Sequence, residues 1–225
     1  MQVAPDFDSS EWSKLQLDDP MSKDWGKAVS VFRARIYSRF IDAADVLVCL
    51  DEKKPIKERR FGFAILAIDC AVVETIGAFQ EGLTDTDRKS KGTFAKFLST
   101  SPGFQKHFTL ARAKKFYSDF RCGILHQAET GGESKVWSVG ELIPDDAGRL
   151  TVNRTKFHEQ LKADIETYKT DVPRFANLKD WFGKHLPKSL LLEKSRTNLQ
   201  TWLTKKNGLP PRSITIVLSC RSAIG

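Results

Sequence analysis

The stretch from Phe61 to Gln80 limits the folds open to this chain more than any other. Phe61, Ile65, Ile68, Val72, Ile76 and Phe79 recur there at the three- and four-residue spacing of one helix face, and Phe63, Leu66 and Val73 fill much of the rest. A helix this apolar packs on several sides and sits at the centre of a helical fold. Asp69 and Glu74 are therefore conspicuous within it. A carboxylate facing a core must be paired or protonated. Arg121 and His126 are possible partners; the alternative is that both carboxylates reach the surface or cap neighbouring turns.

The remaining pattern is also mostly helical. Residues 1–24 read as an irregular lead-in with Pro5, Pro20 and many Asp and Ser, pinned to the body by Trp12 and Leu15. Ser22 or Asp24 can cap a first helix, in which Val29, Phe32, Ile36, Phe40, Ala43, Leu47 and Leu50 form the apolar stripe and Pro55 closes the run. Gly82 to Lys91 is a polar loop. Phe94, Phe97 and Leu98 suggest a short helix, Ser101-Pro102-Gly103 a turn, and Phe104 and Phe108 dock the next connection. After Gly132 the period changes. Val136 to Ile143 and Leu150 to Asn153 flank a Pro-Asp-Asp-Ala-Gly turn and read as a short β-hairpin insertion. Asn153 or Thr155 caps a last helix with Phe157, Leu161, Ile165, Tyr168 and Val172 on one face, ended by Pro173.

The chemistry concentrates between Thr109 and the breaker Thr130-Gly131-Gly132. Ala113, Phe116, Phe120 and Ile124 make an apolar stripe that Arg121 and His126 interrupt. Five residues apart on a helix, the two side chains point about 140° from each other and sit one and a half turns apart, so a group lying along the helix can touch both. Arg is a permanent cation with a planar donor fork suited to phosphate. His titrates near neutral pH and can pass protons. Together they suit metal-free cleavage of an RNA phosphodiester. The plainer alternative is a surface cation and a helix C-terminal cap.

Composition narrows the classes further. With 225 residues and 40% hydrophobic content, the chain can hold one packed domain plus an appendage. No apolar run is expected to reach the ~18 residues of a membrane helix. Met1 to Pro20 shows no basic-then-apolar leader. Cys49, Cys70, Cys122 and Cys220 form no CxxC pair and no metal-ligand spacing, and three of them lie in helical patterns where free Cys behaves as a small hydrophobe. A reducing cytoplasm, no membrane and no cofactor are the expectations that follow.

A helical domain in which Ile68-Asp69-Cys70-Ala71-Val72-Val73-Glu74 lies on a buried helix and Arg121-Cys122-Gly123-Ile124-Leu125-His126 ends a later one resembles the HEPN superfamily, whose mark is Arg, four to six residues, then His. The resemblance covers roughly residues 25–172. The chain departs from the pattern at Cys122, where active members often carry Asn, Asp or His. The resemblance implies an α-helical bundle over residues 25–173 that pairs into a homodimer, each copy giving its Arg and His to one composite cleft. It implies a metal-independent endoribonuclease acting on single-stranded RNA, as in toxin–antitoxin and phage-defence systems, with an antitoxin or regulatory protein as a further partner. His126 would be the general acid/base, Arg121 would hold the scissile phosphate, and Glu74 would orient Arg121. The greasy helix around Ile68 and the aromatic run Phe116 to Phe120 would be dimer-interface elements. The alternative within the resemblance is a non-catalytic module that binds nucleic acid or a protein partner.

The formal net charge of +8 is uneven. Ten of the 36 Lys and Arg but two of the 28 acids fall from Arg174 onward, so the body is neutral and residues 174–225 form a basic C-terminal extension. Lys184, Lys188, Lys194, Arg196, Lys205 and Lys206 are interleaved there with Trp181, Phe182 and Trp202, a composition suited to single-stranded nucleic acid; the alternative is a covering helix whose tryptophans are buried and whose lysines only meet solvent. Six phosphate contacts would give a log–log salt slope of about −4, at roughly −0.7 per contact. Truncation after Pro173 is expected to weaken RNA binding and flatten that slope in a salt titration followed by anisotropy. An unchanged slope would remove the extension from the RNA contact.

Overall fold

Gly62–Gln80 forms helix α4, as its spacing predicts. The computed structural model describes residues 2–19, 21–83, 85–144 and 149–167, and the structural statements below concern these. The expectations for Tyr168, Val172, the basic extension and Cys220 lie outside the described residues. The described fold is mainly helical, with four very short strands. Helix α4 is long and apolar enough to cross a membrane, which corrects the expectation that no run is. Here it is a core helix: Ile65, Leu66, Cys70, Val72, Val73 and Ile76 are buried, and it packs against its neighbours on several sides.

The N-terminal lead-in is better ordered than its composition suggests. β1 (Gln2–Ala4) and β2 (Phe7–Asp8) form an antiparallel hairpin turning at Asp6, whose φ is 55°. Helix α1 (Ser9–Trp12) follows, capped by Asp8, whose carboxylate accepts from the Ser10 and Glu11 amides while Glu11 reaches back to the Asp8 amide. Val3, Phe7, Trp12 and Leu17 are buried in the main core, so this segment is part of the domain and not an attachment to it. Leu15 packs against the same cluster.

Ser22 caps α2 (Lys23–Ile36), accepting from the Trp25 amide at 3.1 Å. The rod continues through a π-helical turn, Tyr37–Ile41, into α3 (Asp42–Glu52). A π turn takes in one more residue than an α turn. The buried stripe therefore moves on by one position: Val29, Phe32 and Ile36 face inward as expected, but Ile41, Ala44 and Asp51 take the places that even spacing assigns to Phe40, Ala43 and Leu50. Leu50 is exposed.

After α4 come α5 (Ser90–Thr100), α6 (Leu110–Phe116), a second π-helical turn (Tyr117–Cys122) and α7 (Gly123–Gln127). The Phe116 ring is the hub of an aromatic cluster. It stacks on Phe157 with centroids 5.3 Å apart, meets Phe108 edge-on at 5.3 Å, and lies 4.5 Å from Phe120. Phe116 and Phe120 are thus consumed by the internal core, which corrects their assignment to a dimer interface.

The expected hairpin is also corrected. β3 (Lys135–Trp137) and β4 (Thr151–Asn153) pair in parallel. Parallel neighbours need a connection of about a dozen residues, and the loop from Ser138 to Leu150 supplies it. The extended run ends at Trp137, and the bend that follows passes through Gly140 at φ 84°. Leu142 and Ile143 then turn into the core, and the Asn153 amide donates to the Leu142 carbonyl at 2.9 Å. Asn153 caps α8 (Arg154–Thr167) through the Thr155 and Lys156 amides, and Phe157, Leu161 and Ile165 are buried as expected.

Asp51 and Arg154 make a fully enclosed ion pair, 3.0 Å apart, with side chains 0% and 1% exposed. Asp51 also accepts from the Arg60 and Phe61 amides, both at 2.9 Å, and so fixes the entry to α4. Removing one partner of a buried pair strands the other charge, at a cost of about 3–5 kcal/mol. Arg154→Met is expected to lower urea stability by that amount. Arg149→Met, which breaks an exposed pair with Glu133, is expected to cost under about 1 kcal/mol. Equal losses would show that the buried pair does not organise the fold.

Candidate functional site

The helix from Leu110 to Gln127 is continuous. Thr109 caps it, accepting from the Arg112 amide at 3.2 Å, and Ala128 ends it in the left-handed region at φ 55°. Arg121 sits within the π turn. Single π turns often occur at functional positions, because the added residue re-aims a side chain without breaking the helix.

Arg121 points at α4. Its Nε and Nη2 donate to Glu74 Oε2 at 3.1 and 3.0 Å. The other oxygen of Glu74 accepts from Thr86 Oγ1 at 2.7 Å and from the Ser90 hydroxyl. The guanidinium also lies over the Tyr117 ring, 5.4 Å from its centroid. Burial works against the Arg121 charge, but Glu74 outweighs it and the guanidinium is held above its ordinary range. Glu74 is thus the hub of a four-bond cluster that fixes the direction of Arg121. Thr86 and Ser90 carry no sequence signal for this role, since each is one hydroxyl among many on a polar loop and the helix it leads into.

The cluster lies at an open cleft of about 330 Å³, lined by Ala71, Glu74, Thr75, Thr86, Arg121 and Leu125. Leu125, four residues after Arg121, shares that cleft; His126 does not line it. His126 is exposed in the last turn of α7. The loop after it folds back on the helix. The Gly131 amide donates to the Asp119 carbonyl at 2.7 Å, and Ser134 Oγ donates to the Asp119 carboxylate at 2.7 Å. Gly123 makes room for this return, since a Cβ there would lie 2.5 Å from the Glu129 carbonyl oxygen. His126 therefore stands at the rim of a braced turn. The structure joins Arg121 to Glu74 within one chain and leaves His126 facing outward. The basic residues Lys184 to Lys206 lie outside the described residues.

Asp69 finds neither expected partner. Its carboxylate meets His158 Nδ1 at 2.7 Å, deep in the core, and His158 Nε2 meets Asp45 at 3.1 Å. Lys162 Nζ donates to both oxygens of Asp45, at 2.6 and 2.9 Å. Of the cysteines, Cys70 is buried and Cys122 half-buried as expected, whereas Cys49 is exposed. Comparison with protein-family models, with curated proteins and with solved structures finds no match to this chain.

The Asp69–His158–Asp45 line makes stability depend on pH. Burial disfavours the imidazolium, but the two carboxylates outweigh it and raise the His158 pKa above its ordinary value. A raised folded-state pKa contributes stability that is fully present below the unfolded value of about 6.5 and is lost as pH rises through the folded one. The urea midpoint is expected to fall across that alkaline window, and His158→Gln to flatten the fall. A midpoint that rises with pH there would reverse the assignment.

Proposed function

We propose that the chain is a metal-independent endoribonuclease of HEPN type that cuts single-stranded RNA, acting as a toxin or phage-defence effector. The observation that carries the reading is the Arg121–Glu74 pair at an open cleft, with the His126 imidazole exposed one and a half turns farther along the same helix.

In this reading Arg121 holds the scissile phosphate. Glu74 aims the guanidinium through Nε and Nη2, so the phosphate is met by the remaining face of the fork. The ribose 2′-hydroxyl attacks phosphorus, a base takes its proton, and the 5′-oxygen leaves with a proton from an acid. The products are a 2′,3′-cyclic phosphate and a 5′-hydroxyl. A single His126 cannot be base and acid at once, so two copies related by a two-fold axis supply two His126 side chains to one cleft. Charge on the pentacoordinate phosphorus is met by Arg121. Because His126 faces outward, it is accessible to a partner copy. An antitoxin or regulatory protein would act by covering this face.

A second reading, a non-catalytic module that binds RNA, draws on Glu74 already occupying two donors of Arg121 and on Cys122 standing beside it. One experiment separates the two. Purified protein is expected to cut single-stranded RNA in EDTA and to be a dimer by light scattering. His126→Ala is expected to lose about 10²–10⁴-fold in rate, the usual worth of a positioned acid–base, and Glu74→Gln to lower kcat with the fold intact. Binding without cutting would favour the module. Equal cutting by wild type and His126→Ala would exclude His126 as the acid–base.

A further inference from the structure

We propose that a second cleft, at the N-terminal end of α4, binds an unpaired RNA base stacked on Trp137, with the adjoining phosphates held by the cationic turn Lys53 to Arg60. The choice of RNA over other polyanions rests on the reading above; the site itself rests on its own geometry.

The cleft measures about 320 Å³ and is lined by Ile56, Arg59, Gly62, Trp137, Ser138 and Val139. That is at the small end of ligand pockets, which run from about 300 to 1,000 Å³, and fits a planar ring system. Three of its side chains are large, apolar and exposed: Ile56 at 60%, Trp137 at 49% and Val139 at 37%. Scattered singly they would need no explanation, but here they converge. Strand alternation creates the arrangement. Val136 turns inward, so close to α4 that a Cβ on Gly62 would lie 3.2 Å from its Cγ1, and Trp137 accordingly turns outward.

The walls are braced. Arg59 Nη1 donates to the Ser138 carbonyl at 3.2 Å, its Nε to the Lys54 carbonyl at 3.3 Å, and its Nη2 meets Glu52 at 2.9 Å. Arg59 ties the turn carrying Ile56–Glu58 to the end of β3 and has its charge matched by Glu52. The cations left to meet a ligand are Lys53, Lys57 and Arg60, all exposed. From Lys53 to Arg60 the sequence carries five cations and one acid, Glu58. An exposed indole between apolar walls, under a net positive rim, matches a base with its phosphates. An apolar peptide would match the walls but not the charge.

The test uses the full chain with His126→Ala, labelled with 5-fluorotryptophan, and an oligouridine of about six nucleotides. The Trp137 fluorine signal, assigned through Trp137→Phe, is expected to shift on RNA addition. Stacking is worth about 1–3 kcal/mol per base, so Trp137→Ala is expected to weaken binding about tenfold or more by anisotropy, while Trp137→Phe stays within about threefold. Lys57→Glu is expected to weaken binding and to flatten its salt slope. If Trp137→Ala fails to fold, the fluorine shift in the unsubstituted site decides. A Trp137 signal unmoved at saturating RNA overturns the proposal, as does an equal shift with polyglutamate. Cutting is read in parallel on the protein that keeps His126: cutting there with a silent Trp137 removes this site alone, and a responsive Trp137 without cutting there removes the nuclease reading alone. No RNA binding at all removes both.

Discussion

Apolar on nearly every side, helix α4 can occupy the middle of this protein because each of its two carboxylates has a partner to face. Asp69 is 0% exposed and meets His158; Glu74, with its side chain 13% exposed, meets Arg121. A third pair, Asp51 with Arg154, fixes the chain as it enters the helix. Such pairs add little net stability over apolar residues of the same shape, but breaking one strands a buried charge. Their effect is on register. Rotating α4 by one residue would bury similar apolar area while unpairing Asp69 and Glu74 together. The same pairs decide which helices lie where. Asp69 holds α8 against α4, and Glu74 holds the π turn that carries Arg121. Core and cleft are therefore set by one helix, Asp69 on the core side and Glu74 on the cleft side.

The helices were legible because their apolar stripes are long, and α4, α5, α8 and the Arg121 helix all run where the periodicity puts them. What the pattern could not carry is the π turn at Tyr37–Ile41. An added residue leaves no mark in composition, yet it moves every later side chain around the axis, so Leu50 is outside and Asp51 inside. The second π turn does less damage to the reading, because Phe116, Phe120 and Ile124 all remain inward. The strand pairing was missed for a different reason. A loop rich in turn residues reads as a hairpin, and what makes this one a crossover is the burial of Leu142 and Ile143, a tertiary event. The lead-in was underestimated because three short elements share a few apolar residues each, too few for a periodicity.

Legibility at the cleft was uneven. Arg121 and Glu74 stood out as charges in apolar surroundings, and the need to pair a buried carboxylate led from one to the other. The same reasoning applied to Asp69 chose the wrong cation. Both Arg121 and His158 are present in the sequence, but no spacing on α4 tells which of them meets Asp69. Helical spacing puts Leu125, four residues on, near the face of Arg121 and His126, five residues on, about 140° away, and the cleft is lined accordingly.

The two clefts are separated by the geometry of α4 itself. Gly62 borders one and Glu74 the other, about 18 Å apart along the axis at 1.5 Å per residue and about 120° apart around it at 3.6 residues per turn. A base on Trp137 is thus far from any phosphate on Arg121 and cannot touch the reacting atoms. Energy gained there is gained equally by bound substrate and transition state, which lowers KM and leaves kcat alone. In the proposed mechanism Glu74 would have the opposite character: it contacts the guanidinium that would meet the developing charge, so its loss would fall on kcat. In the proposed reading, a strand engaging both clefts would have to turn between two faces of the fold, a path open to an unpaired strand and not to a stiff duplex.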